Sequence, residues 1–167
     1  MKTMIKEIKV YEFKELDQNV QEKLIEQEKE DIEDMYIEHE LQNDMTYFAE
    51  ELLKKYFGDK AKFKSVLYDL SYCQGSGAMI EFDLTYYNKF VQVRNYGRYT
   101  HENSFKINNY DLTDKQEQTL KAKIYKMNCE LKEYGYNAIE RWQTADQLAI
   151  ENLEELEFFK DGKVYAG

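Results

Sequence analysis

Phe63-Lys64-Ser65-Val66-Leu67-Tyr68-Asp69-Leu70-Ser71-Tyr72 changes character at every second residue. It leads through Gln74-Gly75-Ser76-Gly77 into Ala78-Met79-Ile80-Glu81-Phe82-Asp83-Leu84-Thr85-Tyr86. A period of two on both sides of a glycine-containing turn predicts a β-hairpin, with the glycines supplying positive φ. Phe63, Ser65, Leu67, Asp69 and Ser71 are expected on one face, and Lys64, Val66, Tyr68, Leu70 and Tyr72 on the other.

Outward from this hairpin, Lys89 to Val93 and Tyr99 to Ile107 read as shorter strands, and Met4 to Phe13 as a strand with a polar face. Asp17 is a plausible N-cap for a long helix on Val20, Leu24, Ile32, Met35, Tyr36, His39, Met45, Phe48, Leu52 and Tyr56. Glu28 interrupts that stripe, which allows a kink or two helices. Gly58 is its expected C-cap. Thr113 with Gln116 forms a capping box for a helix on Leu120, Ile124, Met127 and Leu131, with Gly135 as its end. A last helix is expected from Ala138 to Phe158, then a short strand from Lys160 to Tyr165. The order predicts an α+β fold: one domain over residues 1–167, with an antiparallel sheet of about four to five strands. A long acidic N-terminal helix and two C-terminal helices complete it.

The chain has 167 residues, a formal charge of -10, 15 Tyr, 9 Phe, no proline and two cysteines. Cys73 and Cys129 are too far apart for a local metal motif. No stretch has the apolar core of a signal peptide or the length of a membrane span, so a cytoplasmic setting in a host cell is expected. The charge is uneven. From Asp17 to Phe57 thirteen carboxylates face four lysines, a local charge of -9. The dense part, Glu26 to Glu40, has Lys29 as its only base. Exposed helices usually interleave signs, but Glu26/Glu30, Glu30/Asp34 and Asp34/Glu38 repel at i,i+4. The bland explanation is a solvated face. The sharper one is a mimic of phosphate charge that meets a basic surface.

Other constellations are weaker. Asp69 to Ala78 offers Cys73 and two glycines, but a phosphate loop opens a helix and here a strand follows. Cysteine catalysis needs a base, and His39 and His101 lie in no recognisable motif. A hairpin turn with a buried cysteine is the simpler expectation. Asp69, Glu81 and Asp83 could hold a divalent metal for nucleic-acid chemistry, as carboxylates of any acidic sheet could. Tyr86, Tyr87, Phe90, Tyr96 and Tyr99 interleave with a mildly basic middle region, as in a single-strand binder, but the pI of about 4.8 opposes direct nucleic-acid binding.

Two stretches carry a resemblance. Val10-Tyr11-Glu12-Phe13-Lys14-Glu15-Leu16 with Lys23 and Ile25, and Leu70-Ser71-Tyr72-Cys73-Gln74-Gly75-Ser76-Gly77-Ala78 with Phe82, resemble small uncharacterised proteins of phages and mobile elements in low-GC bacteria. This chain departs from that group at Ser76, where an Asp is usual. The resemblance covers roughly the first half of the chain and brings no catalytic residues with it. It implies an inhibitor of host machinery, of which anti-CRISPR proteins are a prominent class. The expectation is therefore a non-enzymatic inhibitor that docks on the basic nucleic-acid groove of a host defence protein, such as a CRISPR effector nuclease. Glu26, Glu30, Asp31, Glu33, Asp34, Glu38 and Glu40 would supply the charge, with Tyr36 and Ile37 as apolar anchors. The alternative is an antitoxin-like or regulatory protein-binding module. No cofactor, metal, catalytic residue, membrane contact or oligomeric state is assigned.

Overall fold

The structure, a computed structural model, describes residues 7–98, 100–109 and 111–166. The fold is α+β, with four helices and six strands among the described residues. Contacts group the chain, expected as one domain, into two compact units: Met1–Glu38 with Glu140–Gly167, and His39–Ile139.

The first unit begins with strand β1 (Tyr11–Glu12) and a 3-10 turn (Phe13–Glu15), which Glu15 closes by accepting the Glu12 N–H at 2.9 Å. Helix α1 (Gln18–His39) follows. The Asp17 carbonyl accepts its first bonds, from Val20 and Gln21. Strand β6 (Glu157–Phe158) pairs antiparallel with β1, Tyr11 opposite Phe158. Phe13, Leu16, Leu153 and Phe158 form the core, flanked by Val20, Leu24 and Ile25 from α1. The expected strand from Met4 is reduced to β1, and Met4 to Lys6 lie outside the described residues.

The second unit holds helix α2 (Leu41–Phe57) and a four-stranded antiparallel sheet in the order β2 (Ala61–Asp69), β3 (Gly77–Tyr86), β4 (Lys89–Asn95) and β5 (Phe105–Asn108). The Tyr99 start expected for the fourth strand lies outside the described residues. Helix α3 spans Asp114–Gln143, so its last residues belong to the first unit, which also holds α4 (Asp146–Glu154). Ile80, Phe82, Leu84, Val91 and Val93 are buried on one sheet face, against the apolar stripes of α2 and α3. Among the described residues no helix is long and apolar enough to cross a membrane.

Five expectations are corrected. The last helix, expected from Ala138 to Phe158, is divided: α3 runs on to Gln143, α4 covers Asp146–Glu154, and Glu157–Phe158 is strand β6. A bulge between Phe63 and Ser65 resets the alternation of β2, so Phe63 sits opposite buried Phe82 while Ser65 pairs with Glu81. The long helix breaks at Glu40, not Glu28, and becomes α1 and α2. Gly135 does not end a helix. It lies inside α3, where a Cβ would come within 2.6 Å of Leu70 Cδ1 and 3.0 Å of Met45 Sδ, so the missing side chain permits close packing. The hairpin glycines are not its left-handed residues either, because Tyr72 takes that role with φ 55°. Gly77 is needed for space: a Cβ there would meet the Thr100 carbonyl oxygen at 2.5 Å and His101 Cα at 2.8 Å.

The 96–104 loop reaches Gly77 because β3 outruns β4. Their pairing stops at Phe82 opposite Val93, and side chains replace the missing ladder. Asn128 on α3, fully buried, accepts the Ile80 N–H at 3.2 Å and donates to the Glu102 carbonyl at 3.1 Å. Glu81 accepts the Asn95 N–H at 2.8 Å, and Arg94 donates to the Phe82 carbonyl at 2.8 Å. Glu102 itself pairs with Lys132. Burial pushes its carboxyl up. The bonds from Lys132 and from its own backbone N–H, with the charges of Lys132 and His101, outweigh this and hold it below its ordinary value.

Gly77→Ala should cost about 2–3 kcal/mol in denaturant unfolding, because backbone must move to admit the methyl. A depressed carboxyl stabilises the fold above its ordinary value of 4.5, and that contribution is lost as pH falls through the folded value. Stability should therefore decline on acidification below that point. Glu102→Gln should cost about 1–2 kcal/mol at neutral pH, with the gap to the parent closing in acid.

Candidate functional site

The net charge belongs to one unit. Met1–Glu38 with Glu140–Gly167 carries nineteen carboxylates and nine Lys/Arg, a balance of -10, while His39–Ile139 carries fourteen of each and is neutral. Within the acidic unit the helix α1 sets the geometry. Successive residues turn by about 100°, so its inward stripe takes Leu24, Ile25, Lys29 and Tyr36 while Glu30, Glu33, Asp34, Ile37 and Glu38 share the opposite side.

Lys29 is drawn inward, with its side chain 13% exposed, and bonds Asp146 at 2.8 Å and Glu26 at 3.0 Å. The Asp146 bond first, and the Glu26 bond next, raise its pKa. The one base of the dense segment thus serves Glu26 and α4. Glu28 accepts from Asn152 at 2.8 Å. Glu30, Asp31 and Asp34 are exposed and Glu33 is half-buried, and none of their side chains has a hydrogen bond or ion pair among the described residues. Glu38 is exposed but does have an interaction partner.

The two expected anchors separate. Ile37 is 40% exposed, with Glu33 and Asp34 one turn before it on the same side. Tyr36 is only 3% exposed, its ring 5.5 Å from that of Trp142, with the Arg141 guanidinium 4.8 Å above it. The step of about 100° between neighbours carries Tyr36 onto the inward stripe and leaves Ile37 outside, so Tyr36 is a core residue and no anchor. Glu40 lies in the other unit as the N-cap of α2. A carboxylate there is favourable beside the helix N-terminus whatever it meets outside.

The other constellations are tied into the fold. Asp83 pairs with Arg94 and Lys64, Glu81 accepts from Ser65 and Asn95, and Asp69 accepts from Ser71. Among the described residues no three His, Cys, Asp or Glu side chains gather as a metal site. Cys73, expected to be buried, is exposed, because Tyr72 at positive φ turns the loop outward against the ring of Tyr136. Hydrogen bonds with Ser71, then with Ser76 and the Gly75 amide, lower its thiol pKa. Ser71 has a single hydroxyl proton, however, and Asp69 takes it at 2.6 Å. Ser76 and Gly75 are therefore the donors that remain for a thiolate.

The sequence singled out Tyr86 and Tyr87 only as interleaved aromatics. The structure sets them at a cleft of about 330 Å³ with Tyr56, Lys60 and Lys123. Spacing could not reveal this, since segments far apart in the chain contribute.

No protein-family model, curated protein or solved structure matches the chain.

At neutral pH Cys73 should be alkylated faster than the half-buried Cys129. Ser76→Ala should move the pH midpoint of Cys73 alkylation upward by more than Ser71→Ala does. A larger shift in Ser71→Ala would make Ser71 the donor instead.

Proposed function

We propose that this chain is a non-enzymatic inhibitor of phage or mobile-element origin. It docks on a basic nucleic-acid-binding surface of a host defence protein, a CRISPR effector nuclease being the partner that its sequence resemblance implies. The observation that carries the reading is that the Glu30, Asp31, Glu33 and Asp34 side chains on α1 have no counter-charge among the described residues. A carboxylate already paired within the fold brings little to a partner, whereas an unpaired one retains its field for an arginine or lysine outside. Ile37, exposed one turn beyond Glu33 and Asp34, provides apolar contact area of the kind that slows dissociation. The partner-binding set is thus Glu30, Asp31, Glu33, Asp34 and Ile37. Glu26 contributes through its share of Lys29, and Glu38 lies at the end of the row.

The test is capture of the tagged chain's partners from lysate of a CRISPR-bearing low-GC host at low and moderate salt, read by mass spectrometry. A nuclease effector should be retained at low salt, weakened at moderate salt, and lost with the triple variant Glu30→Lys, Asp31→Lys, Asp34→Lys. That variant should keep the parent's circular dichroism and melting, since its side chains are exposed and have no hydrogen bond or ion pair among the described residues. Undiminished capture by the folded triple variant would refute the reading.

A further inference from the structure

The tightest connection in the sheet joins β3 to β4 through Tyr87 and Asn88, with φ of 49° and 58°. Two-residue hairpin turns of this kind require positive φ at both positions, and glycine or asparagine meets that demand with least strain. Asn88 conforms. Tyr87 does not, and its side chain is 64% exposed, so burial does not account for a tyrosine there. A strained position held by an exposed ring raises the question of what the ring serves.

The Tyr87 ring meets Tyr86 edge-on, with centroids 4.7 Å apart, and both line the cleft of about 330 Å³. That volume lies within the range of small-molecule sites, about 300–1,000 Å³. Tyr56 forms part of the wall. Its hydroxyl donates to Glu130 at 2.6 Å; burial first, and that bond next, push its pKa up to about 12, so it stays a neutral, fixed ring. Lys60 and Lys123 also line the cleft. Both are exposed and neither has a hydrogen bond or ion pair among the described residues. No carboxylate lines the cleft among the described residues, in a chain whose net charge is -10. Aromatic faces beside two uncompensated ammonium groups suit a planar ring system that carries phosphate.

We propose that this cleft binds a nucleotide, with its base on the Tyr86 and Tyr87 rings and its phosphate at Lys60 and Lys123. The site belongs to the neutral unit and does not depend on the acidic face of α1.

Adenosine 5′-monophosphate titrated onto the full chain, followed by tyrosine fluorescence and amide chemical shifts, should give saturable binding. Adenosine and inorganic phosphate, used separately, should each bind at least about ten-fold more weakly, since each retains half of the contacts. Tyr87→Gly is the decisive variant: glycine accepts the positive φ, so the fold should be kept or strengthened while affinity falls at least about ten-fold. Lys60→Glu with Lys123→Glu should do the same through charge. A short single-stranded oligonucleotide that binds more tightly than the mononucleotide would place the ligand in a strand, and equal binding would make it a free nucleotide; both support the site. Failure of both probes to saturate at millimolar concentration, or unchanged affinity in the folded Tyr87→Gly and double-lysine variants, would overturn it.

Discussion

Asn128 bridges a gap that strand pairing leaves open in the larger unit. β3 runs five residues past its pairing with β4, from Gly77 to Glu81, so its main chain there lacks a strand neighbour on that side. A buried N–H without an acceptor costs about 1–3 kcal/mol. The carboxamide of Asn128 can both accept and donate, and it does so across β3 and the 96–104 loop in a single placement. A leucine would continue the apolar stripe of α3 but could do neither. Other features depend on this bridge. The loop is held close enough that only glycine fits at position 77, and Glu102 is positioned to meet Lys132.

Local patterning made much of this legible. The period of two in β3, the Thr113–Gln116 capping box and the Gly58 C-cap are short-range signals. Each appears where it was read, with Thr113 Oγ1 accepting the Gln116 N–H at 3.3 Å. What escaped depends on distant partners. Gly135 looks like a helix end to any local reading, and only the proximity of Leu70 and Met45 shows why the helix needs it inside. The bulge after Phe63 is invisible because alternation can restart on either face after one extra residue. The break at Glu40 has no proline or glycine to mark it. The buried residue of α1 is Tyr36, and those of α2 begin at Leu41 and Met45.

The candidate site was partly legible for the same reasons. Charge density is a property of composition, so the acidic segment was evident at once. Which carboxylates remain unpaired was not, because Lys29 could have faced outward, and it turns inward to Asp146, a residue far along the chain. Tyr36 shows the limit of linear adjacency: beside Ile37 in sequence, it is buried while Ile37 is exposed. The cleft beside Tyr87 is assembled from α2 and the turn after it, the end of β3 with the β3–β4 turn, and α3, and its signal lay in a tyrosine where a turn asks for glycine.

A charge of -10 could serve solubility alone, and then no partner would be required. Solubility, however, does not depend on where the charges lie, and here they are not dispersed. One unit is neutral while the other holds the whole imbalance. Within that unit, Glu30 and Asp34 repel at i,i+4, at a cost of about 0.2–0.5 kcal/mol per like pair, with no lysine beside them. Interleaving Lys29's sign one turn further along would have relieved this and left solubility nearly unchanged. Instead the lysine sits against Glu26 and Asp146, where it joins α1 to α4. The arrangement binds the helix down on its inner side and leaves the outer side anionic. That combination suits a rigid surface displayed to a basic partner better than it suits a merely soluble one.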